Sequence, residues 1–169
     1  MKTIPLAKGK GVALVDDADF EKYGHLRWCV GSSGYAHRNT GVKTVLLHRL
    51  IMDAHEGEEI DHRDLNKLNC QRSNLRRCSR SENMRNRRLD SDNRSGYKGV
   101  YFHKKSGKLM ARIRSNGRDK YLGLFLTPEA AAVAYDFAAV EHHGEFAMLN
   151  YPEIGRLLGC ATVNSARPN

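Results

Sequence analysis

The first 47 residues alternate between short apolar runs and clusters of turn-forming residues, a pattern typical of β-strands. The acidic stretch 16–19 predicts a turn after the first apolar run. Segments 26–30 and 35–38 flank Gly31-Ser-Ser-Gly34, which predicts a hairpin. We therefore expect a β-rich N-terminal region.

Two short helices are predicted in the middle of the chain. Apolar residues recur with helical spacing before Gly57, which we expect to end the first helix: Leu46, Leu47, Leu50, Ile51 and Ala54. A strand then leads into Ile60-Asp61-His62, and a polar loop covers 63–73. Ser79 and Glu82 have the spacing of a capping box, which predicts that the second helix starts at Ser79.

The C-terminal part has a different pattern, with three strands followed by one helix. The strands are expected at 99–102, 108–114 and 120–125, separated by turns that contain Ser106-Gly107 and Asn116-Gly117. Thr127 followed by Pro128 predicts the start of an alanine-rich helix. The polar stretch 89–95 predicts a linker.

These patterns predict an α+β protein of two modules. The first module is expected at 1–88, with its chemistry in a core of about 45–88. The second is expected at 96–152 and is followed by a tail at 153–169.

The net charge of the chain indicates that it binds a polyanionic partner. The 169 residues carry a net charge of +9, with a pI of about 9.6. Residues 1–60 are balanced, with eight basic and eight acidic side chains, whereas 61–95 hold ten against five and 96–169 ten against six. The excess of positive charge therefore begins where the candidate catalytic residues begin, and many of these side chains are arginine.

Other features of the composition narrow the setting. No apolar run is long enough to cross a membrane, and the first ten residues lack the apolar core of a secretion signal. The four cysteines contain no C-x-x-C pair, so a structural zinc site is not expected. We expect an intracellular, cytoplasmic protein with reduced thiols and without membrane or small-molecule partners.

A cluster of residues between positions 48 and 83 suggests phosphodiester hydrolysis, which needs a hard metal ion and a general base together. Asp61 and Asn83 offer the oxygen ligands that Mg²⁺ or Mn²⁺ prefers. His62, next to Asp61 on a strand, should point to the opposite face and handle a proton. Asn74 could fix its tautomer, and His48 is a further candidate of less defined role.

The arginines around this cluster are suited to phosphate because a guanidinium donates two parallel hydrogen bonds. The basic residues predicted to bind nucleic acid in the first module are Arg72, Arg76, Arg77, Arg80, Arg87 and Arg88.

The pattern Asp61-His62, Asn74, Asn83 over about residues 45–90 resembles the HNH family of ββα-metal nucleases, and most closely its phage and intron-encoded homing endonucleases. The resemblance implies that Asp61 and Asn83 bind one divalent ion. It also implies that His62 activates water and that Asn74 orients His62. His48, in His-Arg-Leu, also matches the longer family pattern.

Residues 96–151 resemble an AP2/ERF DNA-binding domain through Gly-Tyr-Lys-Gly-Val-Tyr, Ala-Arg-Ile-Arg and Tyr-Leu-Gly-Leu-Phe. Such domains lay a three-stranded antiparallel sheet in the major groove and back it with one helix. The residues expected to contact DNA are Lys108, Arg112, Arg114 and Lys120. Three positions depart from the plant pattern, so its target sequence is not carried over: Tyr101 replaces arginine, Leu109 tryptophan and Asp119 a basic residue.

Together the two resemblances imply a metal-dependent endonuclease of a phage or mobile element that cuts double-stranded DNA. They imply 5′-phosphate and 3′-hydroxyl products and a protein that acts as a monomer or as a dimer formed on DNA. Two alternatives remain open. One is a sequence-specific transcription regulator whose nuclease module is inactive, and the other is an RNA-binding protein.

Overall fold

The computed structural model describes residues 1–87, 89 and 93–160, and the backbone of 164 and 165. Small, mainly antiparallel sheets alternate with a few helices, which is the expected α+β class. The chain forms two compact units, Met1–Asn83 and Met84–Asn169, and each is described by itself. Residues 90–92 of the predicted linker 89–95 and the predicted DNA contact Arg88 lie outside the described residues.

The first unit is built from short strands and short helices. Its strands are β1 (Lys2–Pro5), β2 (Val12–Val15), β3 (Cys29–Val30), β4 (Ala36–Asn39), β5 (Thr44–Leu46), β6 (Glu59–His62) and β7 (Leu75–Cys78). Its helices are α1 (Asp17–Tyr23), α2 (Leu47–Ile51) and α3 (Arg80–Arg85), and the last of these runs past the unit's final residue. Strands pair antiparallel as β1–β2, β3–β4–β5 and β6–β7.

Two predictions for the first unit are confirmed and one is wrong. The hairpin around Gly31-Ser-Ser-Gly34 forms β3 and β4, and the helix predicted from Ser79 begins at Arg80. The turn predicted at 16–19 is instead the start of α1. Its acidic residues favour the positive end of a helix dipole, while Phe20 and Tyr23 pack against the core.

The core of the first unit fixes the loop that precedes β7. Trp28 is fully buried in this core, and its indole donates to the carbonyl of Tyr23 at 3.0 Å. The amide of Leu14 in β2 donates to the carbonyl of Leu68, and the amide of Cys70 returns a bond to Leu14, both at 2.8 Å. These two bonds therefore anchor the loop that connects β6 to β7.

The second unit places one long helix on one face of a sheet. Its strands are β8 (Val100–His103), β9 (Lys108–Ser115), β10 (Arg118–Phe125), β11 (Met148–Leu149) and β12 (Asn164–Ser165), and its helices are α4 (Pro128–His143) and α5 (Pro152–Leu157). Strands β8, β9 and β10 form an antiparallel sheet, as predicted, and β11 pairs parallel with β12. In the described part of the chain, no helix has the length and apolarity needed to span a membrane.

Small side chains let α4 lie close to the sheet. Thr127 caps the helix as predicted, accepting from the amide of Ala130 at 3.2 Å. Gly99 has a φ of +76°, and a Cβ there would lie 1.9 Å from the ring of Tyr135 on α4. Gly99 is therefore required both by its backbone conformation and by the helix packed over it.

Candidate functional site

A buried ion pair joins the central residues of β6 and β7. Asp61 lies opposite Arg76 in the strand register, and the exposed fractions of the two residues are 5% and 6%. Arg76 donates from Nε and Nη2 to the same oxygen of Asp61, Oδ2, at 2.8 and 2.7 Å. The carboxylate predicted to bind metal is thus held in one position by a guanidinium.

The second predicted metal ligand, Asn83, lies against the same face of β6. Glu59 and Asp61 are two residues apart on this strand, so their side chains project from one face. The amide nitrogen of Asn83 donates to Oε2 of Glu59 at 2.6 Å. Since an ionised carboxylate only accepts hydrogen bonds, this contact leaves the amide oxygen of Asn83 directed away from Glu59.

Two features of the chain bring Asn83 to this position. Ser79 and Glu82 form the predicted capping box, in which the amide of Glu82 donates to Oγ of Ser79 at 3.2 Å and Oε2 of Glu82 accepts from the amide of Ser79 at 2.8 Å. Because β7 ends at Cys78, α3 begins immediately after the strand that pairs with β6. The short connection therefore returns Asn83 to the β6 strand.

His62 points to the opposite face of β6, as its place next to Asp61 predicted. Its ring packs edge-on against His48 with the ring centroids 4.9 Å apart, and Tyr35 lies over both rings at 4.8 Å from His48 and 5.7 Å from His62. Both histidines are buried. Within the described residues, Nδ1 of His48 has no hydrogen-bond partner.

Burial is the largest cause of the pKa shifts of His62, His48 and Tyr35. It lowers the pKa of His62 to about 4, although Asp64 and Asp61 oppose the shift, and that of His48 to about 3. Burial also raises the pKa of Tyr35. At neutral pH both imidazoles are therefore uncharged, which is the form that can accept a proton.

The side chain of Asn74 forms hydrogen bonds to the loop that follows His62, contacts that the sequence did not predict. Its amide nitrogen donates to Oδ1 of Asp64 at 2.9 Å and to the carbonyl of Asn69 at 2.8 Å, and its oxygen accepts from the amide of Asp64 at 3.0 Å. The reason is its location one residue before β7, facing the loop after β6. Asn74 thus closes the loop that follows His62, and its carbonyl accepts from the amide of Arg63 at 2.9 Å.

The oxygen donors on the β6 face fit a hard divalent ion. Among the described residues there is no group of three or more His, Cys, Asp or Glu side chains able to hold a metal. The oxygen ligands that this face offers a metal ion are the carboxylate of Asp61 and the amide oxygen of Asn83. Mg²⁺ suits so small a set, because it retains several waters and commonly uses substrate phosphates as ligands.

The arginines predicted to contact nucleic acid differ in what they bind. Arg76 is buried on Asp61, so we assign it to the site rather than to DNA. Arg72 forms a two-point ion pair with the buried Asp19, and Arg77 donates to the carbonyls of Met52 and Asp53. The side chains of Arg80 and Arg87 are exposed.

The open face of the second unit's sheet carries three of the predicted DNA contacts: Lys108, Arg112 and Arg114. The guanidinium of Arg112 lies 4.2 Å from the ring centroid of Tyr101, a cation–π distance. Asp119 lies 3.7 Å from Arg112 and 3.9 Å from Arg114. One carboxylate thus links two exposed arginines.

Lys120 lies on the other face of this sheet, contrary to its predicted role. It pairs in register with Ile113, whose side chain is buried in the core that includes α4 residues. Its ammonium lies 3.3 Å from Nε2 of His142 on α4. Strand alternation places Lys120 out of phase with Arg112 and Arg114, and this alternation could have been applied to the sequence.

Sequence reasoning missed three participants in these sites: Tyr35, Glu59 and Asp119. A signal existed for Glu59, because it is two residues before Asp61 on a predicted strand. Asp119 was noted only as a departure from a family pattern. Tyr35 lies one residue before β4 and reaches His62 on β6 through tertiary packing, which no local sequence pattern predicts.

Comparison with known proteins finds one family model and several plant proteins that are similar to parts of this chain. A family model described as HNH endonuclease matches residues 45–85, the segment that contains the β6–β7 pair and α3. Several plant proteins are similar to part of this chain. The AP2-like ethylene-responsive transcription factor AIL7 of Arabidopsis thaliana is 42% identical over 74 residues, covering 43% of this chain and 15% of that protein.

Two further plant proteins give similar values. The AP2-like ethylene-responsive transcription factor CRL5 of Oryza sativa subsp. japonica is 46% identical over 59 residues, 34% of this chain and 9% of its own length. The ethylene-responsive transcription factor ERF024 of Arabidopsis thaliana is 45% identical over 58 residues, 33% of this chain and 32% of its own length. The chain thus spans at most about a third of these relatives.

Proposed function

We propose that this protein is a metal-dependent DNA endonuclease of the HNH type, directed to its substrate by an AP2-like second unit. The observation that carries the proposal is the arrangement around β6. Oxygen ligands at Asp61 and Asn83 lie on one face of the strand, and an uncharged imidazole, His62, lies at its end. All three residues fall within the stretch that matches the HNH endonuclease model.

The residues of this site have separate roles. His62 takes a proton from the attacking water, while Tyr35 and His48 hold its ring in position. Glu59 turns the amide oxygen of Asn83 toward the ion, and Asn74 closes the loop behind His62. A bound Mg²⁺ or Mn²⁺ would polarise the scissile phosphate and stabilise the departing 3′-oxygen, giving 5′-phosphate and 3′-hydroxyl ends.

The exposed sheet of the second unit supplies much of the affinity for duplex DNA. Lys108, Arg112 and Arg114 project from its open face, with Tyr101 beside them. Binding through such cations releases counterions, so the affinity should fall steeply with salt. Base contacts from this face would select the site, and phosphate contacts would set the register.

The test is cleavage of supercoiled plasmid by the purified protein with Mg²⁺, with EDTA and as the His62→Ala variant. We expect nicking or linearisation that requires metal and that the variant lacks. His37→Ala is a matched control, because His37 is also a strand histidine of the first unit but lies on β4. A plasmid library with random inserts guards against the absence of a preferred site. No cutting of any member in Mg²⁺ or Mn²⁺ would overturn the proposal.

The names of the plant relatives favour a second candidate, a transcription regulator that binds DNA without cutting it. The two functions differ in what His62→Ala changes. A nuclease loses cleavage and keeps binding, whereas a regulator has no cleavage to lose. The charged and oxygen-bearing residues of the first unit have no evident use in a regulator, so the nuclease is preferred.

A further inference from the structure

We propose that Arg76 is a built-in counter-ion that competes with the metal ion for Asp61, so that the free protein binds metal weakly and loads it together with DNA. The inference rests on the proposed function, because it concerns regulation of the same site. In this proposal Arg76 positions Asp61 and controls whether its carboxylate can bind the metal ion, and it takes no part in the chemical step.

The geometry of the pair makes Arg76 a direct rival for the carboxylate. Two nitrogens of its guanidinium, Nε and Nη2, converge on Oδ2 of Asp61, at 2.8 and 2.7 Å. The side chains of Arg76 and Asp61 are only 5% and 6% exposed, so water screens the interaction little. An ion approaching Asp61 meets a fixed positive charge that already occupies one of the carboxylate oxygens.

The charges at the site also disfavour metal binding by the free protein. The +1 of Arg76 cancels the −1 of Asp61, whereas Glu59 keeps its charge while accepting from the neutral amide of Asn83. Arg76 therefore removes from the site the negative charge that Asp61 would offer a divalent ion. The ion would also have few protein ligands, since the described residues include no cluster of three or more acidic, histidine or cysteine side chains suited to metal.

DNA supplies what the free protein lacks. A phosphodiester adds a negative charge and oxygen ligands for the ion, and it is also an alternative partner for the guanidinium of Arg76. If the guanidinium turns from Asp61 to the phosphate, the carboxylate becomes available to the metal at the same moment. By thermodynamic reciprocity, metal must then strengthen DNA binding by the factor by which DNA strengthens metal binding.

The test is the affinity of the full-length free protein for Mn²⁺, measured by the electron paramagnetic resonance signal of unbound Mn²⁺. Arg76→Met keeps an unbranched side chain as far as the position of Nε and removes the charge. We expect Mn²⁺ to bind at least about tenfold more tightly to this variant than to the wild type, because a unit charge beside a divalent ion opposes binding by that much even in a dielectric as high as that of water. A purely structural role for Arg76 predicts a loss of affinity instead.

Two controls test whether any gain in Mn²⁺ affinity comes from breaking the ion pair between Arg76 and Asp61. Arg77→Met removes the neighbouring charge, whose side chain donates to the carbonyls of Met52 and Asp53, and should leave the Mn²⁺ affinity at the wild-type value. Adding Asp61→Asn to Arg76→Met should abolish the gain. Unchanged or weaker Mn²⁺ binding by Arg76→Met, or a gain that persists in the double variant, would overturn the inference.

A second measurement covers the case in which Arg76→Met does not fold. The Mn²⁺ affinity of the His62→Ala protein is compared with and without a DNA duplex that it binds, after subtraction of Mn²⁺ held by the duplex alone. We expect at least about tenfold tighter binding with DNA, and no such increase when Asp61→Asn is added. Equal affinities would overturn the inference. Neither measurement uses cleavage, so failure of the nuclease proposal would be recognised separately in the plasmid assay.

Discussion

The two units handle charge in opposite ways. In the first unit the candidate site is made of buried polar residues, including Asp61, His62 and Arg76. In the second unit the candidate DNA contacts are exposed, and the side chains of Arg112 and Arg114 are 44% and 73% accessible. Chemistry requires groups held in fixed positions, whereas binding to a charged polymer requires accessible groups that can adjust.

This difference sets the cost of changing each region. Removing one member of a buried pair leaves an unpaired charge in the interior and costs about 3–5 kcal/mol. An exposed ion pair contributes about 0–1 kcal/mol. Substitutions in the first unit should therefore change its stability as well as its activity, and substitutions on the sheet of the second unit should change binding alone.

The largest effect on stability is expected from Asp61→Ala, which leaves the buried guanidinium of Arg76 without its carboxylate. The free energy of unfolding of the first unit should fall by about 3–5 kcal/mol. Trp28 is the single tryptophan of the chain and is fully buried in the first unit, so its fluorescence in a urea titration reports this change. Asp119→Ala is the exposed control and should leave the Trp28 transition unmoved. Equal effects of the two variants would contradict the contrast between the units.

The second prediction concerns pH, through the one acidic group of the second unit that is fully buried among the described residues, Asp136. Burial raises its pKa from 3.8 to about 6, although it accepts hydrogen bonds from the amides of Asn150 and Tyr151. The folded state therefore holds the proton of Asp136 more tightly than the unfolded chain does. Protonation of Asp136 stabilises the fold fully below about pH 4, and this contribution to the free energy of unfolding is lost as pH rises through about 6.

Hydrogen exchange of the amides of Asn150 and Tyr151 measures this effect directly. Their protection should decrease between pH 4 and 7, after correction for intrinsic exchange, by the equivalent of about 1–3 kcal/mol. In Asp136→Asn this pH-dependent component should vanish. Protection in the wild type that rises with pH over the same range would show that the sign is wrong.

The third prediction sharpens the comparison on the sheet itself. Arg112→Ala or Arg114→Ala should weaken DNA binding about tenfold and reduce the salt dependence by about one unit of slope. Lys120→Ala, on the face that carries α4, should change neither quantity. Fluorescence anisotropy with a labelled duplex at several salt concentrations measures both. An effect of Lys120→Ala equal to that of the arginine variants would contradict the assigned faces.

The smallest expected effect is that of Asp119→Asn. Its carboxylate lies 3.7 and 3.9 Å from two exposed arginines, so removing the charge frees them for phosphate. DNA affinity should rise a few-fold, in keeping with the low energy of an exposed ion pair. The same anisotropy titration measures the change, and a loss of affinity would mean that Asp119 itself contacts the DNA.

The extent to which the sequence predicts this molecule differs between local and tertiary features. Capping at Ser79 and Thr127 and the Asn116-Gly117 hairpin were predicted because each depends on neighbours within a few residues. Helix α1 was not, because the packing of Phe20 and Tyr23 against the core outweighed the turn preference of the acidic stretch before them.

The candidate site shows the same limit. The spacing of Asp61, His62, Asn74 and Asn83 identifies the residues, but it does not reveal what each side chain touches. Arg76 was predicted to contact DNA and is paired with Asp61, and the side chain of Asn74 bonds to the loop after β6. Both contacts depend on the register of β6 and β7, which is set by the whole pair of strands and not by any one residue.

The most direct test of the division between the units is to measure binding and cleavage of one DNA in parallel for two variants. His62→Ala should abolish cleavage, with a loss of at least about a hundredfold for a missing general base, and should keep the wild-type affinity. Arg112→Ala combined with Arg114→Ala should weaken binding and keep the cleavage rate at saturating protein. If both variants lose cleavage and affinity together, or if His62→Ala cuts like the wild type, the division of labour is wrong.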